Sequence, residues 1–308
     1  MRWRAEQLPD LAKRVAIVTG ANSGIGFHVA RELAAHGARV VLACRRPGSA
    51  TNAADRIRAA AADSDVETAE LDLSSISSIR AFADSWDGPL DLLVNNAGVM
   101  APPKPAKTAD GFELQFGTNH LGHFVLTGLL LPALLDSEKP SRVVTVASIA
   151  HHGGTEEVVD GNAGPGYQPQ KTYSNSKLAN LLFALQLHRE LTARELPVSS
   201  VAAHPGVSAT GLFHDREGMG ASPLIRAAAP VFVKAFTQSA AAGARAVLYA
   251  ATEADPGSYT GPQRLGETRG PIGPARLSPQ AQDERLARRL WHVSEEMTGL
   301  RYEWNPRP

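Results

Sequence analysis

Thr19-Gly20-Ala21-Asn22-Ser23-Gly24-Ile25-Gly26 is the stretch on which the reading of this chain turns. Before it lies Arg14-Val15-Ala16-Ile17-Val18-Thr19, a short β-branched run of strand type, and from Ile25 to His36 apolar residues recur at helical spacing. The pattern is strand, turn, helix. Glycines between such elements allow a tight turn and let backbone N–H groups approach a pyrophosphate at the helix N-terminus. Glycine also simply caps elements, so the turn alone says little. Its place after a strand and before a helix is the context that makes a dinucleotide site the reading.

The next strand, Arg39-Val40-Val41-Leu42-Ala43-Cys44, runs directly into Arg45-Arg46. An acidic residue at this strand end would hydrogen-bond a ribose 2′-hydroxyl, whereas arginine pairs with a 2′-phosphate. The absence of Asp or Glu there favours NADP(H) over NAD(H), against the plainer view of Arg45 and Arg46 as solvated loop charges. An alanine-rich helix near Ser49 to Ala62 and the strand Val66 to Leu71 follow, and Asp72-Leu73-Ser74 forms a strand end. Asp72 is expected either to cap the next helix or to contact the adenine side of the cofactor. Leu90-Asp91-Leu92-Leu93-Val94 reads as the fourth strand, closed by Asn95-Asn96-Ala97-Gly98, whose small and amide residues permit close packing.

A long helical pattern covers about Asp110 to Leu135 and contains Thr118-Asn119-His120-Leu121-Gly122-His123. No nearby cysteine or paired carboxylate completes a metal site with the two histidines, so no metal is expected. Asn119 is a poor helix former in the middle of a helix, which points to a hydrogen-bonding duty at an opened turn or a water. The fifth strand, Arg142 to Ser148, ends in a hydroxyl. Ser148 and His151 are close in sequence, yet no Gly-x-Ser-x-Gly elbow exists anywhere in the chain, which disfavours a serine hydrolase.

Tyr173-Ser174-Asn175-Ser176-Lys177 opens a helical run through Leu185. Helical spacing sets the phenol and the ammonium on one face. An unperturbed tyrosine titrates near pH ~10, so acid/base work near neutrality calls for a neighbouring positive charge such as Lys177. A sixth strand, Pro197 to His204, meets the turn Pro205-Gly206-Val207. Roughly Ser208 to Thr237 is a long irregular insertion carrying Leu212, Phe213, Leu224, Ile225, Phe232 and Phe236, a length that commonly marks a substrate lid. A helix near Ser239 to Ala251, a last strand near Ser258 to Gln263 and a terminal helix near Ala281 to Met297 complete a single domain over 1–308.

Lys plus Arg equals Asp plus Glu at 31 each, so no global field draws the protein to nucleic acid. The single cysteine, Cys44, excludes an internal disulfide and fits a reducing compartment. The first ten residues hold no continuous apolar run, and no stretch reaches the ~20 uninterrupted apolar residues of a membrane span. A soluble, cytoplasmic protein without an integral membrane segment is expected.

Taken in order, Thr19-Gly20-x-x-x-Gly24-Ile25-Gly26, Asn95-Asn96-Ala97-Gly98, Asn119, Ser148, Tyr173-x-x-x-Lys177 and Pro205-Gly206 resemble the short-chain dehydrogenase/reductase family. Asp91 to Met100, Asn119-His120-Leu121-Gly122-His123-Phe124 and Tyr173 to Lys177 look like its retinol dehydrogenase and protochlorophyllide reductase-like branch. Retinoid-active members of that branch often carry an N-terminal membrane anchor, which this chain is read as lacking. The resemblance implies an α/β fold, a single doubly wound Rossmann-type domain of about seven parallel strands with helices on both faces, assembled as a homodimer or homotetramer. It also implies roles. Tyr173 would be the general acid/base, Lys177 would lower its pKa and hold the nicotinamide ribose, Ser148 would hydrogen-bond the substrate oxygen, and Asn119 would hold a water linking Lys177 to solvent. Gly20, Ser23, Ile25 and Gly26 would line the pyrophosphate, Asp72 and Leu73 the adenine, Asn96 the adjoining ribose, and Val207 the carboxamide through its backbone, with Thr210 a further contact.

The function expected is NADP(H)-dependent hydride transfer between nicotinamide and the carbonyl or alcohol of a fairly apolar small molecule. Reduction of an activated carbon–carbon double bond is the alternative within the class. A dinucleotide-binding regulator without turnover is the alternative outside it, and the complete set of Asn119, Ser148, Tyr173 and Lys177 argues against that.

Overall fold

The computed structural model describes residues 3–161, 166–209 and 238–305. Thr210 and all but the first two residues of the insertion read over 208–237 lie outside the described residues. The runs read as strands form Val15–Thr19 (β1), Arg39–Cys44 (β2), Val66–Glu70 (β3), Leu92–Asn95 (β4), Ser141–Val146 (β5) and Val198–Ala203 (β6). All six pair in parallel. Ser208–Ala209 (β7) and Gln238–Ser239 (β8) make a separate two-stranded pair. Tyr259–Arg264 (β9) joins the main sheet parallel to β6, and Arg269–Pro274 (β10) turns back antiparallel to β9. The strand order is β10-β9-β6-β5-β4-β1-β2-β3. From β1 the chain steps outward to β3, then returns to β4 on the other side of β1. That reversal opens a crevice at the carboxyl ends of β1 and β4, where ligands bind in open sheets of this kind.

The seven parallel strands agree with the expectation; the eighth, antiparallel strand was not foreseen. Arg269–Pro274 contains Pro271 and Pro274, which argue against a strand because proline cannot donate to a ladder. At the outer edge of the sheet that donor is not needed.

Alternating side chains along each strand enter different cores. Val18, Leu42 and Val94 pack on one face beneath the helices Gly24–Ala35 (α1), Pro47–Ala60 (α2) and a later helix spanning Ala240–Thr252. Ile17, Val41 and Leu93 pack on the other face with Ile76–Asp84 (α3), Leu114–Leu135 (α4) and Pro169–Ala193 (α5). Ala240–Thr252 is α6, and the terminal helix Glu284–Thr298 is α7. Each large apolar side chain taken out of water contributes about 1.5–3 kcal/mol, so two such layers hold the sheet rigidly.

By length and composition α4 is able to cross a bilayer, although Gln115, Asn119, His120 and His123 interrupt its apolar run, and most of it is buried inside the protein. Phe124 stacks edge-on with Phe183 of α5 and with Trp291 of α7, and Tyr302 donates a 2.7 Å hydrogen bond to the Phe124 carbonyl. A helix apolar on every side because every side is covered is a core helix.

Candidate active site

The glycine turn is built as the sequence implies. Gly20 has φ +65°, a left-handed conformation that disfavours any side chain, and its N–H donates to the Ala43 carbonyl at 2.9 Å. A Cβ on Gly26 would stand 2.7 Å from the Gly20 carbonyl oxygen and would collide with the Asn96 amide. The turn is therefore compressed against the β4 loop, and Ser23 at the start of α1 makes no side-chain cap to its backbone N–H groups. Asn96 fastens that loop: its N–H donates to Thr19 Oγ1 at 2.9 Å and its side-chain amide to the Thr19 carbonyl at 2.8 Å. A cradle this tight, at the switch point of the sheet, fits a dinucleotide pyrophosphate. Ser23 is the residue before α1, and Ile25 is buried at the start of that helix.

On the far side of the crevice, Ser148 stands two residues beyond β5 and caps a short 3₁₀ turn, Ile149–Gly153. Its Oγ accepts the Ala150 N–H at 3.1 Å, and its hydroxyl faces the Tyr173 phenol closely enough to affect its acidity. Tyr173, Ser176 and Lys177 all lie buried in the first turns of α5. Burial pushes the Tyr173 phenol up to about 12, with the Ser148 hydrogen bond acting in the opposite direction. Burial likewise draws the Lys177 ammonium down to about 8. Its Nζ donates to the Val146 carbonyl at 3.1 Å and lies 5.9 Å from the Tyr173 ring centroid. Ser148, rather than Lys177, is thus the group favouring the phenolate in this arrangement.

Asn119 sits in a wide π-helical turn, Gly117–Leu121, inside α4. Its side chain pairs both ways with the Val99 backbone, accepting from N at 2.8 Å and donating to O at 3.0 Å, and donates to Ser176 Oγ at 2.9 Å. Ser176 in turn donates to the Tyr173 carbonyl at 2.8 Å. An opened turn with a hydrogen-bonding asparagine is what the poor helix propensity of Asn119 implied, and π-turns cluster at functional sites. A Cβ on Gly98 would come within 3.0 Å of Asn119 Oδ1 and 3.5 Å of Lys177 Nζ, so the Asn95-Asn96-Ala97-Gly98 loop passes directly between them. Glycine turn, β4 loop, Asn119, Ser148, Tyr173 and Lys177 form one continuous site.

The sequence matches the short chain dehydrogenase family over residues 14–219. It is 41% identical over 300 residues to retinol dehydrogenase 12 of Homo sapiens, covering 96% of this chain and 89% of that protein. The chain belongs to the short-chain dehydrogenase family. Polyprenol dehydrogenase of Mus musculus is 42% identical over 307 residues, covering 96% of this chain and 87% of its own. A solved structure of an uncharacterized protein from Mycobacterium paratuberculosis superposes with a TM-score of 0.81 at 41% identity, covering 98% of this chain and all of that one. Within the family the chain lies in the retinol dehydrogenase-like branch. It is an oxidoreductase of the alcohol/carbonyl type that uses a nicotinamide dinucleotide.

The remaining residues expected from the sequence of this short-chain dehydrogenase are placed as follows. Arg45 is exposed directly beyond β2, and Arg46 precedes the first turn of α2. Asp72 Oδ1 accepts both the Ser74 N–H at 2.9 Å and the Ser74 hydroxyl at 2.7 Å, so it shapes the turn before α3, whose actual cap is Ser75. Leu73 is buried, its carbonyl pressed against Gly122 where a side chain would not fit. Val207 donates its N–H to the Thr268 carbonyl at 3.0 Å and accepts the Gln238 N–H at 2.9 Å, which ties the Pro205-Gly206-Val207 turn to the β9–β10 hairpin. Among the described residues no group of three or more His, Cys, Asp or Glu is placed to hold a metal ion.

Three residues beside these have contacts to which the sequence assigns no role. Thr19 receives the Asn96 and Ala97 N–H groups, each at 2.9 Å. Ser176 connects Asn119 to the helix of Tyr173. Asn180 donates to the same Val146 carbonyl as Lys177, at 3.1 Å.

Proposed function

We propose that the protein is an NADP(H)-dependent short-chain dehydrogenase that interconverts an alcohol and its aldehyde or ketone on an apolar, isoprenoid-like small molecule. The observation that carries this reading is the network that joins buried Asn119, through Ser176, to the first turns of α5, where Tyr173 and Lys177 are both buried and Tyr173 faces the Ser148 hydroxyl. The nicotinamide supplies or accepts a hydride when bound. The protein supplies the proton and the geometry.

Tyr173 Oη is the proton donor. With its pKa held at about 12 the phenol is protonated at neutral pH, the state needed to deliver a proton to a carbonyl oxygen as that oxygen gains negative charge. Ser148 Oγ, next to the phenol, donates a second hydrogen bond to the same oxygen and stabilises the charge that develops there. For the reverse direction the phenol must lose its proton, and the Ser148 hydroxyl is the group that favours the phenolate. Lys177 and the β4 loop fix the nicotinamide ribose, and the π-turn of Asn119 sets the depth at which Lys177 stands.

Gly20, Ser23, Ile25 and Gly26 hold the pyrophosphate, and Asn96 the ribose beside it. Arg45, one residue beyond β2, takes the 2′-phosphate through charge-assisted hydrogen bonds. Two relatives named for retinol and polyprenol, each matched along nearly its whole length, support a long apolar alcohol as the substrate class.

The test is a panel of retinal, a polyprenal, short aldehydes, secondary ketones and enones with NADPH and with NADH, followed by absorbance of the reduced dinucleotide. Consumption of NADPH with the long aldehydes, yielding the alcohol, is expected. A product saturated at the carbon–carbon bond with its carbonyl intact would instead assign double-bond reduction, and no turnover with any carbonyl or enone would assign binding without catalysis.

A further inference from the structure

His123 is buried between the two halves of the site, 1% exposed. Its Nδ1 lies 2.9 Å from the Asn119 carbonyl oxygen and its Nε2 lies 2.9 Å from Thr19 Oγ1. A carbonyl only accepts, so Nδ1 carries the proton. In the neutral ring Nε2 is then an acceptor, and the Thr19 hydroxyl donates to it at 2.9 Å in preference to the Val94 carbonyl, which lies farther off at 3.3 Å. Thr19 Oγ1 is left with its lone pairs for the Asn96 and Ala97 N–H groups, each at 2.9 Å. Every donor points the same way, from the β4 loop through Thr19 and the imidazole to the carbonyl of Asn119. Burial draws the imidazole down to about 4, so the ring stays neutral across the working range and the direction of the chain is fixed.

We infer that His123 is a positioning residue that couples the dinucleotide cradle to the proton-transfer group, holding Thr19 with one ring nitrogen and the carbonyl of the Asn119 π-turn with the other. His120, three residues earlier, shows what an ordinary core histidine looks like in the same helix: it bonds Ser294 through Nε2 at 2.7 Å, away from the site, and its Nδ1 has no partner. Both nitrogens of His123 are engaged, and each partner belongs to a different part of the site. Thr19 ends β1 and carries the glycine turn. Asn119 carries the hydrogen bonds to Val99 and to Ser176, hence to the helix of Tyr173 and Lys177. The coupling rests on the proposed proton-transfer role of Tyr173, while the hold on Thr19 bears on dinucleotide binding whether or not the protein turns over.

Side-chain length separates the two halves. In His123→Asn the amide nitrogen reaches the position of Nδ1 and restores the bond to the Asn119 carbonyl, but not the one to Thr19. In His123→Gln the amide reaches the position of Nε2 and restores only Thr19; His123→Leu restores neither. NADPH dissociation constants from fluorescence titration, kcat with a carbonyl substrate and thermal midpoints are measured for all three. His123→Leu should weaken NADPH about five-fold, one lost hydrogen bond, and lower kcat roughly ten-fold or more through misplacement of the proton-transfer group. His123→Asn should recover most of kcat with NADPH binding still weak, and His123→Gln the reverse. Wild-type values in His123→Leu, or losses in all three that track the thermal midpoint without this split, would overturn the inference. If the wild type turns over no substrate, the proposed activity fails by itself. The NADPH titration then decides: near-normal binding by His123→Gln beside weak binding by His123→Asn and His123→Leu supports the hold on Thr19, and equal binding by all three overturns it.

Discussion

Arg45 stands one residue beyond the last residue of β2, and in the proposed function it takes the ribose 2′-phosphate. A charge-assisted hydrogen bond is worth about 1.5–3 kcal/mol, roughly ten- to a hundred-fold in binding. Arg45→Ala should therefore raise KM for NADPH by about that factor and leave KM for NADH nearly unchanged, measured side by side with one substrate. Equal effects on the two dinucleotides would remove the 2′-phosphate contact from the account. Residues like this one are legible in a sequence because residue type and local context carry the chemistry: Gly20 and Gly26 where backbone must approach closely, Ser148 at a strand end, Tyr173 and Lys177 one helical turn apart. Thr19, Ser176 and His123 are not legible in that way. Thr19 meets His123 across 104 positions of sequence and Asn119 meets Ser176 across 57, so their hydrogen bonds exist only once the sheet has brought β1, α4 and α5 together. A buried threonine and a buried histidine read as ordinary core residues until then.

The elements show where periodicity informs and where it stops. Helical spacing marked the region from Asp110 to Leu135 as one long helix, and α4 is one, but the pattern does not report that its hydrogen bonds change class over Gly117–Leu121. The clue was a single misfit, asparagine in a helix interior, because a residue that competes with the backbone for hydrogen bonds persists there only when it has partners. Asn119 has Val99 and Ser176. The β9–β10 hairpin was missed for the opposite reason. Its turn places Leu265, Gly266 and Glu267 at φ +52°, +63° and +65°, and two of the three are residues that rarely adopt such values, so no turn signature is present to read. The hairpin nevertheless matters to the site, since the Thr268 carbonyl anchors Val207.

At the scale of the whole molecule, several histidines are folded into the interior as neutral rings. His120 and His204 are drawn down to about 3, His123 and His151 to about 4, in each case chiefly by burial, from an unfolded value of 6.5. The folded-state values are depressed, so below pH 6.5 the unfolded chain binds protons that the folded state refuses, and stability present above that pH is lost as the pH falls toward 4. Each ring contributes a slope of up to about 1.4 kcal/mol per pH unit in that window. Urea midpoints taken from pH 7 to pH 4.5 should fall steeply and continuously, whereas a flat profile down to pH 5 would contradict the buried, neutral state of these rings. The same packed interior keeps the crevice rigid: β1, β4 and β5 carry the cradle, the β4 loop and Ser148 on one sheet, and α5 sets Tyr173 against them.

The central claim is that Tyr173 delivers the proton in an NADP(H)-dependent carbonyl reduction. The direct measurement compares wild type and Tyr173→Phe, with NADPH and a long apolar aldehyde, for both turnover and NADPH affinity. The account predicts NADPH consumption by the wild type, a loss of roughly a thousand-fold or more in kcat for Tyr173→Phe, and an NADPH dissociation constant within about two-fold of wild type. Turnover by Tyr173→Phe near the wild-type rate would contradict it.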